Sequence, residues 1–288
     1  MKPAPFKYLA ARSFDDALAF KAQHGADARF LAGGQSLVPV LNFRLTQPAV
    51  LIDINDVAGA SGVTLADNEL RIGALTRYRT LQREALIVRH CPLIAEALPH
   101  IAHPQIRNRG TIGGNLCHAD PASELPAIML ALGARLRLRS AGGERLLDAR
   151  DFFTGALSTA LHDDEMLAEL IVPLAPPRTG TSFMEVARRR GDFAMMGVAA
   201  VVRLGEDGTC RDARLAFCGA GDRPVLAAKA AAGLIGGKIE HTDIETAARS
   251  AMQEVEPHGS VHASADYQRH LAGVLTRRAL KMARGRAR

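Results

Sequence analysis

The chain has 288 residues, 48% of them hydrophobic and 23% charged, a balance that excludes a disordered segment and allows one large or two ordinary domains. Its net charge of +6 is matched by the C-terminal stretch RRALKMARGRAR, with six basic residues and no acid, so the rest of the chain is near neutral. With no tryptophan and three tyrosines there is little to stack bases, and nucleic-acid binding is not expected.

Cys91, Cys117, Cys210 and Cys218 lack the spacing of zinc or iron–sulfur ligands and read as free thiols in a reducing compartment. MKPAPFKYLAARS holds no signal-peptide core, and no run of ~20 apolar residues follows, so a cytoplasmic protein with no membrane span is expected.

In chain order, Ser13 caps a helix that carries Ala17, Leu18 and Phe20 and stops at Gly25. A short strand, Arg29 to Ala32, runs into Gly33-Gly34-Gln35-Ser36; a helix starts at Leu37, and AVLIDI, Ala49 to Ile54, returns as a strand. GVTLADNELRIGA reads as a hairpin turning at Ala66-Asp67-Asn68. Thr76 is then expected to cap a helix, with helical segments continuing to about His100. A second glycine turn, Arg109-Gly110-Thr111-Ile112-Gly113-Gly114-Asn115, precedes a helix over roughly Glu124 to Leu132 that Gly133 can end.

ARLRLRS and ERLLDARDFF flank Ala141-Gly142-Gly143 as a second hairpin. Pro173, Pro176 and Pro177 remove donors and fix φ within five residues, which places a domain boundary at 176. Beyond it, GVAAVVRL and RDARLAFCGAG read as strands about Asp207-Gly208. The remainder is expected to be helical, with Thr242 and Glu245 as a capping box and Ser264 capping the last helix.

Both glycine clusters sit between an extended segment and a helix start, where successive N–H groups can converge on an anion such as a pyrophosphate. Glycine allows close backbone approach and positive φ, while Ser36, Thr111 and Asn115 supply side-chain donors. Neither cluster fits G-x-G-x-x-G or the P-loop pattern, so a different nucleotide grip is implied. The plain alternative is a pair of ordinary tight turns.

The stretches AGGQSLVP at 32–39 and RNRGTIGGNLCHADPASELPA at 107–127 carry a resemblance to a known family. Together with ARRRGDFA at 187–194 and SADYQRHLAGVLTRRAL, they resemble the FAD-binding medium subunit of molybdenum hydroxylases, the xanthine dehydrogenase and carbon monoxide dehydrogenase group. The resemblance implies an α+β fold: a two-part FAD-binding domain of the PCMH type over 1–176, then a smaller domain over 177–288 with an antiparallel sheet and a helical bundle. It implies that Ala32, Gly33, Gly34, Gln35, Ser36 and Leu37, with Thr111, Ile112, Gly113, Gly114 and Asn115, wrap the FAD diphosphate with backbone amides. On that placement Gly113→Val clashes with the diphosphate and strips FAD from a folded protein.

By the same resemblance Glu124, or Asp120 as a second choice, bonds the ribityl or ribose hydroxyls, and Leu167 touches the flavin through its backbone. Carboxylates suit hydroxyl donors; alternatively Glu124 only favours its helix N-terminus, and Leu167 is only core. Arg190, at the end of Arg188-Arg189-Arg190, then lies near the flavin N1 and C2 carbonyl, where a cation stabilises the reduced anion. The bland reading of that run is a solvated strand edge or an ion pair. Asp192 and Phe193 fall beside the ring, with Phe193 where many relatives carry tyrosine.

His118 and Cys117 have no partner spaced to complete a metal or nucleophile site, so no catalytic residue and no metal ligand is assigned. The resemblance places the molybdenum cofactor on a large partner subunit and 2Fe-2S clusters on a small one, in a dimer of heterotrimers. The implied function is electron transfer from those clusters through FAD to an acceptor such as quinone, oxygen or NAD. The alternatives are a self-contained FAD-dependent oxidoreductase, and an adaptor that keeps the fold without cofactor.

Overall fold

A computed structural model describes residues 2–288. The N-terminal part is a small three-stranded parallel sheet. β1 (Lys7–Ala10), α1 (Phe14–His24), β2 (Ala28–Leu31), α2 (Leu37–Asn42) and β3 (Val50–Asp53) give the order β1-β3-β2. Ser13 caps α1 with a reciprocal box to Asp16, whose side chain takes the Ser13 amide. Lys21 closes the other end, donating from Nζ to the carbonyls of Gly25 (2.6 Å) and Ala28 (2.9 Å). This fixes where β2 starts, and therefore where the first glycine turn ends up.

The middle part is a five-stranded antiparallel sheet whose strands are interleaved in sequence with short helices. It contains β4 (Val63–Ala66), β5 (Glu69–Gly73), α3 (Tyr78–Leu81), α4 (Ala85–His90), α5 (Pro92–Ala97), α6 (Pro104–Arg109), α7 (Ile112–His118) and α8 (Glu124–Leu132). It continues through β6 (Arg135–Ser140), β7 (Gly143–Asp148), α9 (Ala149–Phe152), β8 (Phe153–Gly155), β9 (Ser158–Thr159) and β10 (Met166–Pro173), with sheet order β4-β5-β10-β6-β7. Asp67 and Asn68, both at positive φ, make the two-residue turn between β4 and β5. Gly133 ends α8 in the left-handed conformation. Only the first part of ERLLDARDFF pairs with β6; Ala149–Phe152 coils into α9.

The third part is a four-stranded antiparallel sheet, β11 (Thr179–Ala187), β12 (Ala194–Leu204), β13 (Cys210–Cys218) and β14 (Val225–Leu226). α10 (Ala228–Ala232), α11 (His241–Glu254) and α12 (Ala265–Arg286) follow it. β12 is apolar almost throughout because both its faces are buried. Ala199 and Val201 join the core of the middle part, while Val198, Ala200 and Val202 join the core under α11 and α12. Gly180 lets α12 lie against β11, since a Cβ there would overlap the Ala283 carbonyl. Arg286, near the end of α12, donates to Glu96 (2.8 Å) and to the Thr181 carbonyl (2.7 Å).

Several expectations need correction. Thr76 caps no helix: its hydroxyl donates to Gly73 O and receives the Gly62 amide, bracing a loop, and Arg77 precedes α3. The capping box of α11 is Glu240 with Asp243, two residues before Thr242 and Glu245, because Glu245 instead holds Arg277 at 2.9 Å. β1 and β11 are additional strands that the sequence pattern did not announce.

Candidate functional site

The first glycine turn leaves β2 at Leu31 and enters α2 at Leu37. Gly34 has φ +73, the left-handed region, and Gln35 folds back to donate from Nε2 to Gly33 O at 2.9 Å. Among the described residues, the amides of Gly33, Gly34, Gln35, Ser36 and Leu37 have no acceptor within the chain. Ser36 precedes α2 without a side-chain cap bond. Five consecutive free donors at a tight turn are the arrangement that receives an anion.

The second turn lies directly against the first. A Cβ on Gly33 would overlap the Arg109 carbonyl oxygen and stand 2.9 Å from Gly110 Cα, and one on Gly114 would stand 3.7 Å from Ala32 Cβ. The second turn spends its amides from Ile112 to Asn115 inside the protein. Ile112 N donates to Thr76 O (3.0 Å), Gly113 N to Ala74 O (2.8 Å), Gly114 N to Thr111 Oγ1 (3.2 Å) and Asn115 N to Thr111 O (3.1 Å). Gly113 is required by Ala74, whose Cβ and O would stand 2.5 and 2.7 Å from an added Cβ. A valine there acts first on this packing, which corrects the expectation that it meets only a ligand.

Arg77, which no sequence pattern singled out, ties the second turn to the end of β3. Its guanidinium donates to the Arg109 carbonyl and, at 2.5 Å, to Asn55 Oδ1. Asn55 in turn donates to Asp53 at the end of β3, and the Tyr8 hydroxyl donates to the other Asp53 oxygen at 2.6 Å. Burial alone would raise the Asp53 carboxyl, but the hydrogen bonds from Tyr8 and Asn55 and the Arg77 charge leave it below its ordinary range.

Asn115 is committed sideways: its amide nitrogen is 2.7 Å and its amide oxygen 2.9 Å from Ser123 Oγ, just before α8. Asp120 accepts the Ala122 amide at 2.9 Å and shapes the loop into α8. Glu124 opens α8 and is 5% exposed. Burial pushes its carboxyl up to about 8; Glu185 and Asp120 press the same way, and its own backbone amide and His100 press back. Burial also raises the Cys117 thiol to about 12, so it is no ready nucleophile. No group of three or more His, Cys, Asp or Glu side chains suited to a metal occurs among the described residues.

Leu167 has its side chain in the core, while its backbone lies at a bulge in β10. The adjoining Ala168 carbonyl takes the Ala74 amide at 2.9 Å, immediately beside Gly113. The arginine run forms the β11–β12 loop and leans on the segment before α6. Gly191, at φ +89, leaves no room for a Cβ against His103 Nδ1 (2.8 Å) and Ala102 O (2.9 Å). Arg188, Arg189 and Arg190 are exposed, Asp192 N donates to Arg189 O, and the Phe193 ring is 69% exposed. The loop therefore stands on the flank of α6, the helix that leads into the second glycine turn.

Two glycine turns in contact, one of them offering free amides, define a site suited to the diphosphate of a nucleotide cofactor. Comparison with known proteins gives the family. Residues 4–175 match the FAD binding domain in molybdopterin dehydrogenase, and residues 181–283 the CO dehydrogenase flavoprotein C-terminal domain. The chain is 41% identical, over 100% of its length and 97% of the relative's, to the 6-hydroxypseudooxynicotine dehydrogenase complex subunit alpha of Paenarthrobacter nicotinovorans. It is 44% identical, over 78% of its length and 76% of the relative's, to caffeine dehydrogenase subunit beta of Pseudomonas sp. strain CBB1. Its structure superimposes with a TM-score of 0.97, at 36% identity and 99% coverage of each chain, on a chain of carbon monoxide dehydrogenase from Hydrogenophaga pseudoflava lacking the Mo-pyranopterin moiety of its cofactor.

The chain belongs to the FAD-binding medium subunits of the molybdenum hydroxylase family, and is thus an oxidoreductase subunit with FAD as its own cofactor. No helix among the described residues is long and apolar enough to cross a membrane.

Proposed function

We propose that this chain is the electron-relaying subunit of a multi-subunit molybdenum hydroxylase in the cytoplasm. It receives electrons from 2Fe-2S clusters on a small subunit and delivers them to a small-molecule acceptor, while a large subunit carries the molybdenum cofactor and acts on the organic substrate. FAD, when bound, supplies a centre competent for both one- and two-electron steps. The assembly is a dimer of heterotrimers. The chain divides at 176 into an FAD-binding and a C-terminal domain, although the middle core extends across that point to Phe183, Ala199 and Val201.

The observation that carries this reading is the row of free amides from Gly33 to Leu37 held against the second glycine turn. In the site we infer, those amides and Ala32 hold the diphosphate, and Thr111, Ile112, Gly113, Gly114 and Asn115 form the close wall opposite. Glu124, with Asp120 behind it, faces the ribityl or ribose hydroxyls, and the bulged backbone at Leu167 borders the ring. Arg190, Asp192 and Phe193 cover the ring from the β11–β12 loop, where a cation stabilises negative charge on a reduced cofactor.

The test is to isolate the chain from its host by an antibody, record the visible spectrum and identify the chains that accompany it. Flavin absorption with a large molybdenum-bearing chain and a small 2Fe-2S chain is the expected result. Flavin without partners contradicts the relay and favours a self-contained oxidoreductase; a colourless protein contradicts FAD binding.

A further inference from the structure

A band of arginines beside the glycine turns has no partner of opposite charge. Arg79 lies on α3, Arg107 and Arg109 on α6, and Arg188, Arg189 and Arg190 on the β11–β12 loop; all but Arg107 are exposed. The fold brings the three segments together. The Tyr78 amide donates to Gly110 O at 3.1 Å, and a Cβ on Gly110 would stand 2.7 Å from the Tyr78 ring, so α3 rests on the end of α6. Arg107 donates from Nη1 to the carbonyls of Ile101 (2.9 Å) and Ala102 (2.6 Å). A Cβ on Gly191 would stand 2.9 Å from that same Ala102 oxygen, so Arg107 and the arginine-bearing loop converge on one carbonyl. Among the described residues none of the six arginines forms an ion pair, and the three segments hold a single carboxylate, that of Asp192.

Like charges held this close repel one another. Burial first, and then the charges of Arg190 and Arg79, hold the Arg107 guanidinium below its ordinary range. Such an excess of one sign raises the local concentration of counter-ions and speeds their arrival. With the diphosphate held by the amides from Gly33 to Leu37, the band is left facing solvent beside the loop that covers the ring. We infer that these arginines, chiefly Arg79, Arg188 and Arg189, select the electron acceptor by charge, drawing a small anionic molecule to the flavin in preference to a neutral or cationic one. The inference rests on the reading that the β11–β12 loop covers the ring.

Steering of this kind acts over the screening length, about 10 Å at ~0.1 M salt, so it needs no pocket of fixed shape. It changes how fast the acceptor arrives rather than the transfer itself, and an uncharged acceptor gains nothing from it. A cation far from the band has no such effect. Lys238 is exposed beside Gly237, whose carbonyl takes the Cys210 amide at 2.7 Å, and Cys210 pairs with Leu204 at the end of β12 opposite the loop. The eleven residues of β12 put roughly 30 Å between that end and the loop, which makes Lys238 the control.

Two measurements on the full chain test this, for the wild type, Arg79→Glu, Arg188→Glu, Arg189→Glu and Lys238→Glu. The first needs no cofactor: the flavin-free chain is titrated by calorimetry with hexacyanocobaltate(III), a redox-inert trianion, at about 0.02 M salt. Each arginine variant is expected to bind it about threefold or more weakly, and Lys238→Glu to bind it as the wild type does. In the second, the FAD-loaded chain is photoreduced without oxygen and mixed with ferricyanide or with neutral 1,4-benzoquinone, and the return of the oxidised flavin spectrum is timed. Each reduced cofactor yields two electrons and two protons. Two ferricyanide ions take one electron each and the protons go to water, whereas one benzoquinone takes both electrons and both protons. The ferricyanide rate is expected to fall about tenfold or more from about 0.02 M to about 0.5 M salt, and to be lower at low salt in each arginine variant. The benzoquinone rate stays level in every protein. Equal trianion binding throughout, or ferricyanide rates that the arginine variants leave unchanged, overturns the inference, as does an equal loss in Lys238→Glu. The same mixing with the complex isolated from the host is expected to keep this order; loss of the charge dependence there means that a partner subunit covers the arginines, and overturns their role toward the acceptor. A chain that takes up no FAD overturns the reading of the site, and the acceptor role with it, even where the trianion binds.

Discussion

The two glycine turns share residue types and a place before a short helix, and they differ in where their amides point. From Gly33 to Leu37 the N–H groups meet no acceptor among the described residues, whereas from Ile112 to Asn115 each one is bonded to Thr76, Ala74 or Thr111. The first turn is a receiving surface, and the second is a piece of framework that sets where that surface stands. A glycine in the first therefore answers to ligand and to backbone approach, and a glycine in the second answers to Ala74. Composition alone assigns both to the same task; the hydrogen-bond accounting separates them.

The largest expected effect comes from Gly33→Val, which drives a side chain into the Arg109 carbonyl and parts the two turns. FAD affinity should fall by about 100-fold or more, close to 3 kcal/mol, as measured by fluorescence titration. Gly113→Val should sharpen the contrast by lowering stability by about 1–3 kcal/mol through overpacking against Ala74, while the folded fraction keeps most of its flavin affinity; denaturant melts with binding on the same samples check this. Arg77→Ala removes donors to Asn55 and to the Arg109 carbonyl and should cost about 1–2 kcal/mol of stability together with some affinity. Arg77→Lys should restore little, because one ammonium cannot span both acceptors as the fork does.

Stability should also depend on pH. Glu124 sits at about 8 in the folded protein, above its ordinary carboxylate value, so the folded state keeps a proton that the unfolded chain has released. Stability of the flavin-free chain then declines as pH rises from the ordinary carboxylate range through about 8, and Glu124→Gln should flatten that decline in thermal melts. His100, raised mainly by the hydrogen bond it donates to Glu185, adds stability that is complete below the ordinary imidazole value and is lost as pH climbs through its elevated one. The smallest effect belongs to Phe193→Tyr: with the ring 69% exposed, melting should stay within about 0.5 kcal/mol of wild type, leaving any change to flavin reduction kinetics.

Much of the fold was legible because its signals are local. Ser13 with Asp16, Asp67-Asn68 and Gly133 each specify a cap or turn through their own backbone chemistry, and the structure uses each of them so. Thr242 with Glu245 has the same local pattern, yet Glu245 serves Arg277 on α12 and the cap falls to Glu240. The two glycine turns were legible as turns before helices; their division of labour was not, since an amide's partner depends on which strand the fold brings beside it. Arg77 bridges to a carbonyl 32 positions away and has no periodicity to announce it. The pair of His100 with Glu185 exists only because β11 crosses the end of α5, a strand the sequence pattern did not mark.

The most direct test of the central contrast is residue-resolved amide hydrogen exchange on the full chain with and without FAD. The account predicts fast exchange from Gly33 to Leu37 that slows strongly when FAD binds, and slow exchange from Ile112 to Asn115 in both states. Fast exchange at Ile112 to Asn115 that FAD then protects, with Gly33 to Leu37 unaffected, would contradict it.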